Sequence, residues 1–375
     1  MCQTLFYIPE RIFGWPVFGA GVLLAVWAAA GVVLLAWLAR RQGFNADTWG
    51  YVPLLLLVGA VIWWVLPRIS EPGLGLPIRG YGTMLLIAVV CGSALATWQG
   101  YRLGVDPDVT MTFIFWGFVP GIIGGRLFYV IEYWQDFERP TLMATLGEVV
   151  NITQGGLVVY GALIGGLLGF AVFLVKERLP LLAMLDIVAP GMVLGLALGR
   201  VGCFLNGCCF GGACELPWAV RFPAGSPPFV QEVQEGKIPL YGLKFTGPSD
   251  RAPEISEVEA GSPAQGLGLK PGQTIAAING VSVKTTHAAQ WVLIDALRLG
   301  KGVAIKTIES KSPVQVPVPQ PPPRTEPLHP TQLYSTVDAL VLCLFLVAYG
   351  PFKRRDGELV ALLLTLYPIN RFPWR

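Results

Sequence analysis

The chain has 375 residues, of which 53% are hydrophobic and only 14% are charged, and its mean hydropathy is +0.57. Soluble proteins carry about 25% charged residues, so a polytopic membrane protein is indicated. The net charge of +3 is small and no basic face is evident, which argues against nucleic-acid binding. Seven cysteines and two histidines are too few for a disulfide scaffold of this length.

Apolar runs of membrane-spanning length occur along most of the chain, and a spanning helix needs about 20 such residues. The first run is long enough to span and has no convincing small-residue cleavage site, so no cleavable signal peptide is predicted. The pattern predicts an all-α polytopic membrane protein with seven or eight transmembrane helices, at 17–39, 51–67, 81–99, 111–131, 155–175, 186–206, 332–350 and, for a shorter run, 358–369.

Lysine and arginine in the short loops predict the orientation, because they are enriched on the cytoplasmic side. One set of loops holds only Arg68, Arg79 and Arg139. The N-terminus and the long segment 207–331 are therefore predicted outside the cytoplasm. The alternate loops hold the larger basic set, namely Arg40, Arg41, Arg102, Lys176, Arg178, Lys353, Arg354 and Arg355.

Segment 236–310 is polar, with short alternating runs and turn residues, and it resembles a small α/β PDZ domain. The dipeptide Asn279-Gly280 predicts a hairpin turn between two strands, and 286–300 has helical apolar spacing. PDZ domains bind extended peptides by adding a strand, and YGLKF at 241–245 is a loose match to the binding loop. The alternative is a domain that serves only as a spacer. The proline-rich stretch 311–327 predicts an extended, semi-rigid linker.

The stretch GRVGCFLNGCCFG places an arginine, Arg200, and an asparagine, Asn206, at the outer end of the sixth predicted span. Ionisable groups at a membrane are functional candidates, and the planar guanidinium matches a phosphate. Arg200 is therefore a candidate for binding a lipid headgroup. The alternative is an arginine that reaches the interface with no further role.

Four cysteines follow the pattern C-x4-C-C-x4-C at positions 203, 208, 209 and 214. The paired C-x2-C units of structural zinc sites are absent, so the spacing is a poor match to such a site. A disulfide from Cys208 or Cys209 to Cys203 or Cys214 is an alternative in an oxidising compartment. Small buried thiols without further chemistry are the third interpretation.

Other polar groups are assigned to the outer side. A single tyrosine is typical of the aromatic belt, and a single histidine is typical of a structural role. These groups are Tyr81, Glu132, Arg126, Tyr160, Asp186, His329, Tyr367 and Arg371.

Six stretches, in order, resemble the prolipoprotein diacylglyceryl transferase family, which consists of integral membrane enzymes of bacteria. They cover roughly 81–211 and 328–371 and read IRGYG, GGRLFYVIEYW, GGLVVYGALIGG, LDIVAPGMVLGLALGRVGCFLNGCCFG, HPTQLY and YPINR. The resemblance divides the chain into two extra N-terminal transmembrane helices (1–80), the first part of a transferase-like membrane domain (81–235), the PDZ-like domain (236–310), the linker (311–327) and the C-terminal membrane helices (328–375).

The resemblance implies transfer of the diacylglyceryl group of phosphatidylglycerol to the thiol of a lipobox cysteine in a prolipoprotein, without a cofactor or metal. The partners it implies are phosphatidylglycerol and a prolipoprotein signal peptide, with a peptide or protein C-terminus at the PDZ-like domain. It also implies a location in the bacterial inner membrane, with the insert on the extracytoplasmic side.

Residue by residue, Arg200 matches the family's essential arginine, and the other matched positions are Tyr81, Asn206, Gly211, Tyr367 and Arg371. The chain departs from the family signature at Cys203, where an asparagine is usual, and at Cys208, where a glutamate is usual. Tyr160 replaces a histidine that is a proposed base, which leaves His329 as a candidate base by elimination. Arg200, Tyr160 and His329 are therefore the predicted catalytic residues.

Three other hypotheses remain open. The first is a related enzyme with another lipid or acceptor, which the changes at Tyr160, Cys203 and Cys208 would suit. The second is an inactive membrane adaptor that presents its PDZ-like domain to protein C-termini. The third is a thiol-redox function of the cysteines.

Overall fold

The computed structural model describes residues 4–371 except 44–45, 72, 140, 152–154, 246–251 and 311. The helices are α1 (Val22–Gln42), α2 (Ala46–Ala60, continued by a π-helical turn Val61–Val65), α3 (Leu66–Ile69), α4 (Gly80–Arg102), α5 (Pro107–Glu132), α6 (Trp134–Phe137), α7 (Leu142–Val150), α8 (Val159–Glu177), α9 (Leu181–Asn206), α10 (Pro227–Gln234), α11 (Pro263–Gly266), α12 (Thr286–Arg298), α13 (Thr331–Tyr349) and α14 (Glu358–Arg371).

The strands are short and lie in two parts of the chain. They are β1 (Thr4–Ile8), β2 (Arg11–Ile12), β3 (Trp15–Pro16), β4 (Leu76–Arg79), β5 (Leu243–Phe245), β6 (Ile255–Val258), β7 (Ile275–Ile278), β8 (Val281–Ser282), β9 (Val303–Thr307) and β10 (Val314–Val316).

Seven helices within the described residues are long and apolar enough to cross a membrane, and a shorter apolar helix spans Glu358–Ile369. Each coincides with one of the predicted runs, so the multi-pass prediction is confirmed. The long helices are Val22–Arg41, Trp49–Ile69, Gly80–Arg102, Pro107–Glu132, Val159–Glu177, Leu181–Asn206 and Thr331–Phe352.

The chain forms two compact units, and the first comprises residues up to Thr83 together with Leu205–Gly207. In this unit β1 pairs with β4 in an antiparallel sheet. Helices α1 and α2 pack closely, with Gly31 facing Leu55 and the Trp27 indole donating to the Leu55 carbonyl at 3.0 Å. The sheet was not predicted, because its two strands are separated by both N-terminal spans.

The second unit comprises Met84–Phe204 and the chain from Cys208 onward. Helix α9 is central to this unit, because half of the residues in its apolar stretch are buried inside the protein. In the other spanning helices this share is 6–28%. Small side chains of α9 pack against α13 in one hydrophobic cluster, which includes Ala189, Val193 and Ala197. Gly92 and Gly191 bring α4 and α9 together, since a Cβ on Gly191 would lie 2.4 Å from the Gly92 carbonyl oxygen.

Helices α5 and α8 pack along a series of glycines, as expected from the glycine-rich runs. A Cβ on Gly124 would lie 2.4 Å from the carbonyl oxygen of Gly161, and a Cβ on Gly165 would lie 2.2 Å from that of Pro120. The two backbones are therefore in direct contact, and larger side chains at these positions would separate the helices.

The polar segment has its own hydrophobic core, which extends from Phe229 to Val316. Its four-stranded sheet has the order β10-β9-β7-β8, and β5 and β6 form a separate antiparallel pair. The elements predicted between 255 and 309 are all present as β6, α11, β7, β8, α12 and β9. Part of the proline-rich stretch is extended as β10, which pairs with β9.

The polar segment leaves the membrane helices and returns to them at one place. The Val220 and Leu328 main chains exchange two hydrogen bonds of 3.0 Å, and the Cys214 N–H donates to the Pro327 carbonyl at 2.9 Å. The incoming and outgoing chains are thus paired before α13 begins.

Candidate active site

The C-terminal end of α9 carries three of the residues that the sequence singled out. Arg200 and Cys203 lie three positions apart on this helix and are therefore neighbours on its surface. Both side chains are half-buried. Asn206 is the last helical residue.

A tight turn ends α9 and folds the following residue back over the helix. Gly207 has a φ of +80°, and the Cys208 N–H donates to the Cys203 carbonyl at 3.1 Å. A left-handed glycine followed by this bond pattern is a Schellman motif. The turn brings Cys208 next to Cys203, five residues earlier, with its Sγ 3.7 Å from the Cys203 carbonyl oxygen.

The start of α13 holds the loop after this turn. The Gln332 amide donates to the Cys208 carbonyl at 2.7 Å, and the Thr331 hydroxyl donates to the Cys209 carbonyl at 2.7 Å. Cys209 itself has a left-handed φ of +60°. These side-chain bonds fix the main chain of both cysteines, and the sequence did not predict them because they join positions more than 120 residues apart.

Three thiols converge at the end of α9 and in the turn that follows it. The Sγ atoms of Cys203, Cys208 and Cys209 all lie within 4.8 Å of one another, whereas Cys214 is buried outside this group. The cysteines that the structure describes, including these four, are free thiols. The spacing of the cysteines in the sequence argued against a metal-binding group. That spacing carries no information on the turn at Gly207, which brings the three thiols together.

Arg200 has partners on two sides. Its guanidinium is hydrogen-bonded to the Tyr367 hydroxyl of α14, and Cys203 and Cys209 lie near enough to interact with its charge. The structure therefore brings together Arg200 and Tyr367, which are far apart in the sequence and which the family resemblance placed in one site. Arg371 lies one helical turn beyond Tyr367, and its side chain is outside the described residues.

Gly211 and His329 are also in contact. The Gly211 N–H donates to the His329 carbonyl at 3.0 Å, and a Cβ on Gly211 would lie 2.7 Å from the His329 Cβ. The His329 Nδ1 is 3.3 Å from the Tyr334 hydroxyl, which accepts a 2.7 Å hydrogen bond from the Trp218 indole. Sequence reasoning identified His329 as a candidate base but did not identify its neighbours Trp218 and Tyr334. Tyr334 is the last residue of the HPTQLY stretch.

Two tyrosines of the prediction are more exposed. Tyr160 is the second residue of α8 and is 73% exposed, and no described contact joins it to Arg200. Tyr81 is the second residue of α4, belongs to the first compact unit and is 41% exposed.

Arg126 has a structural environment rather than an open one. Its three nitrogens donate to five main-chain carbonyls between Glu148 and Gly156, at 2.8–3.1 Å. The guanidinium also lies over the rings of Tyr129 and Phe137. Arg126 therefore fastens the loop between α7 and α8 to the end of α5.

The assignment of Asp186 to the outer side is wrong. Asp186 lies 14 residues before Arg200 on α9, which is about 21 Å along the helix axis. Its carboxylate pairs with Lys353 at 3.3 Å and accepts from the N–H groups of Gly357 and Val360. A fully buried carboxylate needs such partners, and here they anchor the start of α14 at the opposite end of the helix bundle.

Together, the fold and the Arg200 region define a multi-pass integral membrane protein with a conformationally fixed, arginine-containing site at the end of its central helix. A family model described as prolipoprotein diacylglyceryl transferase matches residues 72–374. The chain belongs to this family.

Individual relatives agree with this assignment. The chain is 32% identical over 394 positions to the phosphatidylglycerol--prolipoprotein diacylglyceryl transferase of Rhodopirellula baltica. The alignment covers 97% of this chain and 77% of the relative. An enzyme of the same name from Synechocystis sp. is 34% identical over 41% of this chain and 53% of its own length. The phosphatidylglycerol--prolipoprotein diacylglyceryl transferase 2 of Clostridium perfringens is 32% identical over 44% of this chain and 61% of its own length.

Proposed function

We propose that this protein transfers the diacylglyceryl group of phosphatidylglycerol to the thiol of a lipobox cysteine in a prolipoprotein. The observation that carries the proposal is the family relationship across most of the chain, together with Arg200 in the matched region. The products are a thioether and glycerol phosphate, so the reaction needs a cation for the leaving phosphate and a deprotonated acceptor thiol.

Arg200 and Arg371 bind the lipid phosphate in this mechanism. The hydrogen bond from Arg200 to Tyr367 supports it, because Tyr367 then orients the guanidinium fork toward the phosphate. Negative charge increases on the phosphate as the carbon–oxygen bond breaks, and a fixed guanidinium stabilises that charge.

The remaining predicted residues position the substrates. Tyr81, Asn206 and Tyr160 donate hydrogen bonds to the headgroup or the thiol, and Gly211 keeps space for the loop beside His329. His329 is the proposed base for the acceptor thiol, and its contact with Tyr334 supports that role by holding the ring in one orientation.

The proposed location is the bacterial inner membrane, with the segment 207–331 on the extracytoplasmic side. The support is the distribution of arginine and lysine in the loops. An extracytoplasmic site also fits an acceptor that is a secreted preprotein.

For the polar segment 236–310 we propose a PDZ-type fold that binds an extended peptide or a protein C-terminus. The order of its elements supports the fold, and β5 follows a turn with left-handed Tyr241 and Gly242, where the binding loop was predicted. A peptide would add a strand beside β5, facing α12. The test is titration of the full-length protein with labelled C-terminal peptides, and binding that Leu243→Pro in β5 leaves unchanged would contradict this groove.

The transferase proposal is tested with labelled phosphatidylglycerol and a lipobox peptide. Wild type is expected to form the thioether product, identified by mass spectrometry, and Arg200→Ala is expected to lose it. Arg68→Ala, on another exposed helix end, is the matched control that keeps activity. A folded wild type that forms no product, or forms it from another lipid, would contradict the proposal.

A further inference from the structure

The end of α9 and the turn that follows it carry a group of thiols that the transferase mechanism above does not use. We propose that Cys203, Cys208 and Cys209 bind one zinc ion, and that the fourth zinc position takes the thiol of the acceptor cysteine. The second half of this proposal rests on the proposed transferase function, and the first half does not.

The positions of the sulfurs carry the metal site. All three Sγ atoms lie within 4.8 Å of one another. Zinc–sulfur bonds of about 2.3 Å in a tetrahedral site place two sulfurs about 3.8 Å apart. Rotation of the thiol side chains closes the remaining difference of about 1 Å, without a change in the main chain.

The main chain around the thiols is already fixed. The hydrogen bond from Cys208 N–H to the Cys203 carbonyl sets the approach of two ligands, and Gln332 and Thr331 hold the carbonyls of Cys208 and Cys209. Such support from surrounding residues is what orients metal ligands. The site is thus held in a conformation suitable for binding before any ion arrives.

Charge and access also favour the ion. Three thiolates and one zinc ion carry a net charge of minus one, and the Arg200 guanidinium lies near Cys203 and Cys209 to balance it. Cys209 is exposed and the other two thiols are half-buried, so the site is open on one side. Three protein ligands with an open fourth position are typical of catalytic rather than structural zinc.

The chemistry of the acceptor explains why zinc is useful here. A thiol that coordinates zinc is deprotonated, and the thiolate is the nucleophile. The acceptor thiol loses its proton to His329, the base proposed above, on binding zinc, its sulfur forms a bond to the glyceryl carbon, and the bond from that carbon to the phosphate oxygen breaks. Glycerol phosphate leaves with the extra negative charge beside Arg200, and no oxidant or reductant is required.

This site also accounts for the departures from the family signature. Cys203 and Cys208 occupy positions where the family has an asparagine and a glutamate, and Tyr160 occupies that of a proposed base. A weaker base can deprotonate a thiol that is bound to a metal than one that is free, so zinc replaces part of the function of the lost side chains.

The metal site is tested on the full-length protein, purified in detergent without chelators. Mass spectrometry of total metal is expected to find about one zinc per chain, and X-ray absorption to find sulfur neighbours at about 2.3 Å. Cys203→Ser and Cys208→Ser are expected to lower zinc content at least about tenfold. Cys91→Ser is the matched control, because Cys91 is also half-buried and lies on α4.

The mechanistic half is tested by removing zinc with a chelator and restoring it, while transfer to a lipobox peptide is measured. Transfer is expected to fall at least about 100-fold and to return with zinc. The proposal would be overturned by full transfer activity of the zinc-free protein. It would also be overturned by equal zinc content in Cys208→Ser and Cys91→Ser, or by a Cys203–Cys208 disulfide in a protein without zinc. Zinc bound to a chain that transfers no lipid would overturn the proposed function and support the metal site alone.

Discussion

Arg126 and Arg200 both lie on spanning helices, and they have different partners. Arg126 donates to five main-chain carbonyls at the end of α7 and in the loop that follows it. The partners described for Arg200 are the Tyr367 hydroxyl and two thiols. Main-chain carbonyls stay in place, whereas a hydroxyl and thiols can rotate toward a ligand. Arg126 is therefore held as a structural arginine, whereas the partners of Arg200 leave it suited to binding phosphate.

Arg200→Lys is expected to give the largest effect on activity. The lysine keeps a positive charge and loses the planar fork, so the transfer rate falls about 10²–10³-fold while the protein stays folded. The measurement is initial rate against phosphatidylglycerol concentration, with unfolding followed in parallel. A rate within twofold of wild type would remove Arg200 from the phosphate site.

Arg126→Ala is expected to give the reverse pattern. It leaves five carbonyls between Glu148 and Gly156 without their donor, and the free energy of unfolding falls by about 3 kcal/mol or more. Thermal unfolding in detergent measures this loss, and Arg126→Lys should retain part of the stability. Unchanged stability with lost transfer per folded molecule would place Arg126 in the chemistry instead.

Gly211→Ala tests whether the region of the loop beside His329 must stay in place. The new methyl group lies 2.7 Å from the His329 Cβ and the Thr331 Cγ2, so the loop must move. A shift of this kind is expected to lower transfer about tenfold. Gly212→Ala is the control, because an added Cβ there meets nothing within 4 Å. Equal rates for the two variants would show that this loop position has no effect on the reaction.

The smallest expected effect concerns the extramembrane segment, away from both arginines. Burial raises the pKa of the Glu232 carboxyl, although the carboxylate accepts the Glu326 N–H at 3.1 Å. The folded state therefore binds this proton more tightly than the unfolded state, and stability falls as pH rises from the ordinary glutamate pKa through the raised one.

Glu232→Gln removes the cost of burying an ionised carboxylate. The free energy of unfolding is expected to increase by less than about 1 kcal/mol at pH 7 and not to increase at pH 3. Melting temperatures of the full-length protein at the two pH values measure it. The control is Glu235→Gln, since the hydrogen bond from Lys237 lowers the pKa of that exposed carboxyl and gives the opposite trend. A gain that is the same at both pH values would contradict the assignment to Glu232.

The parts of the structure that depend on local patterns were predictable. Spans follow from hydropathy, and the elements of 255–309 follow from turn residues and periodicity. The choice of Arg200 as a candidate site residue followed from its position at the end of an apolar run. The convergence of Cys203, Cys208 and Cys209 was not predictable from spacing, because it depends on the left-handed turn at Gly207 and on bonds from the distant α13.

Long-range polar contacts account for the other differences. The carbonyl partners of Arg126 and the ion pair of Asp186 join residues that are far apart in sequence. Asp186 was grouped with the outer-side residues, although it starts the span that ends near Arg200, because a single carboxylate has no sequence signal for its partner. The pairing of β1 with β4 has the same origin, since the strands are about 70 residues apart.

The paired chains at Val220 and Leu328 have a consequence for how this protein can change in evolution. Because the two main chains are already hydrogen-bonded there, the separation of α9 and α13 does not depend on the roughly hundred residues between those points. A short hairpin could join the same two ends. We therefore expect the polar segment to be replaceable as a module while α9 and α13 keep their arrangement.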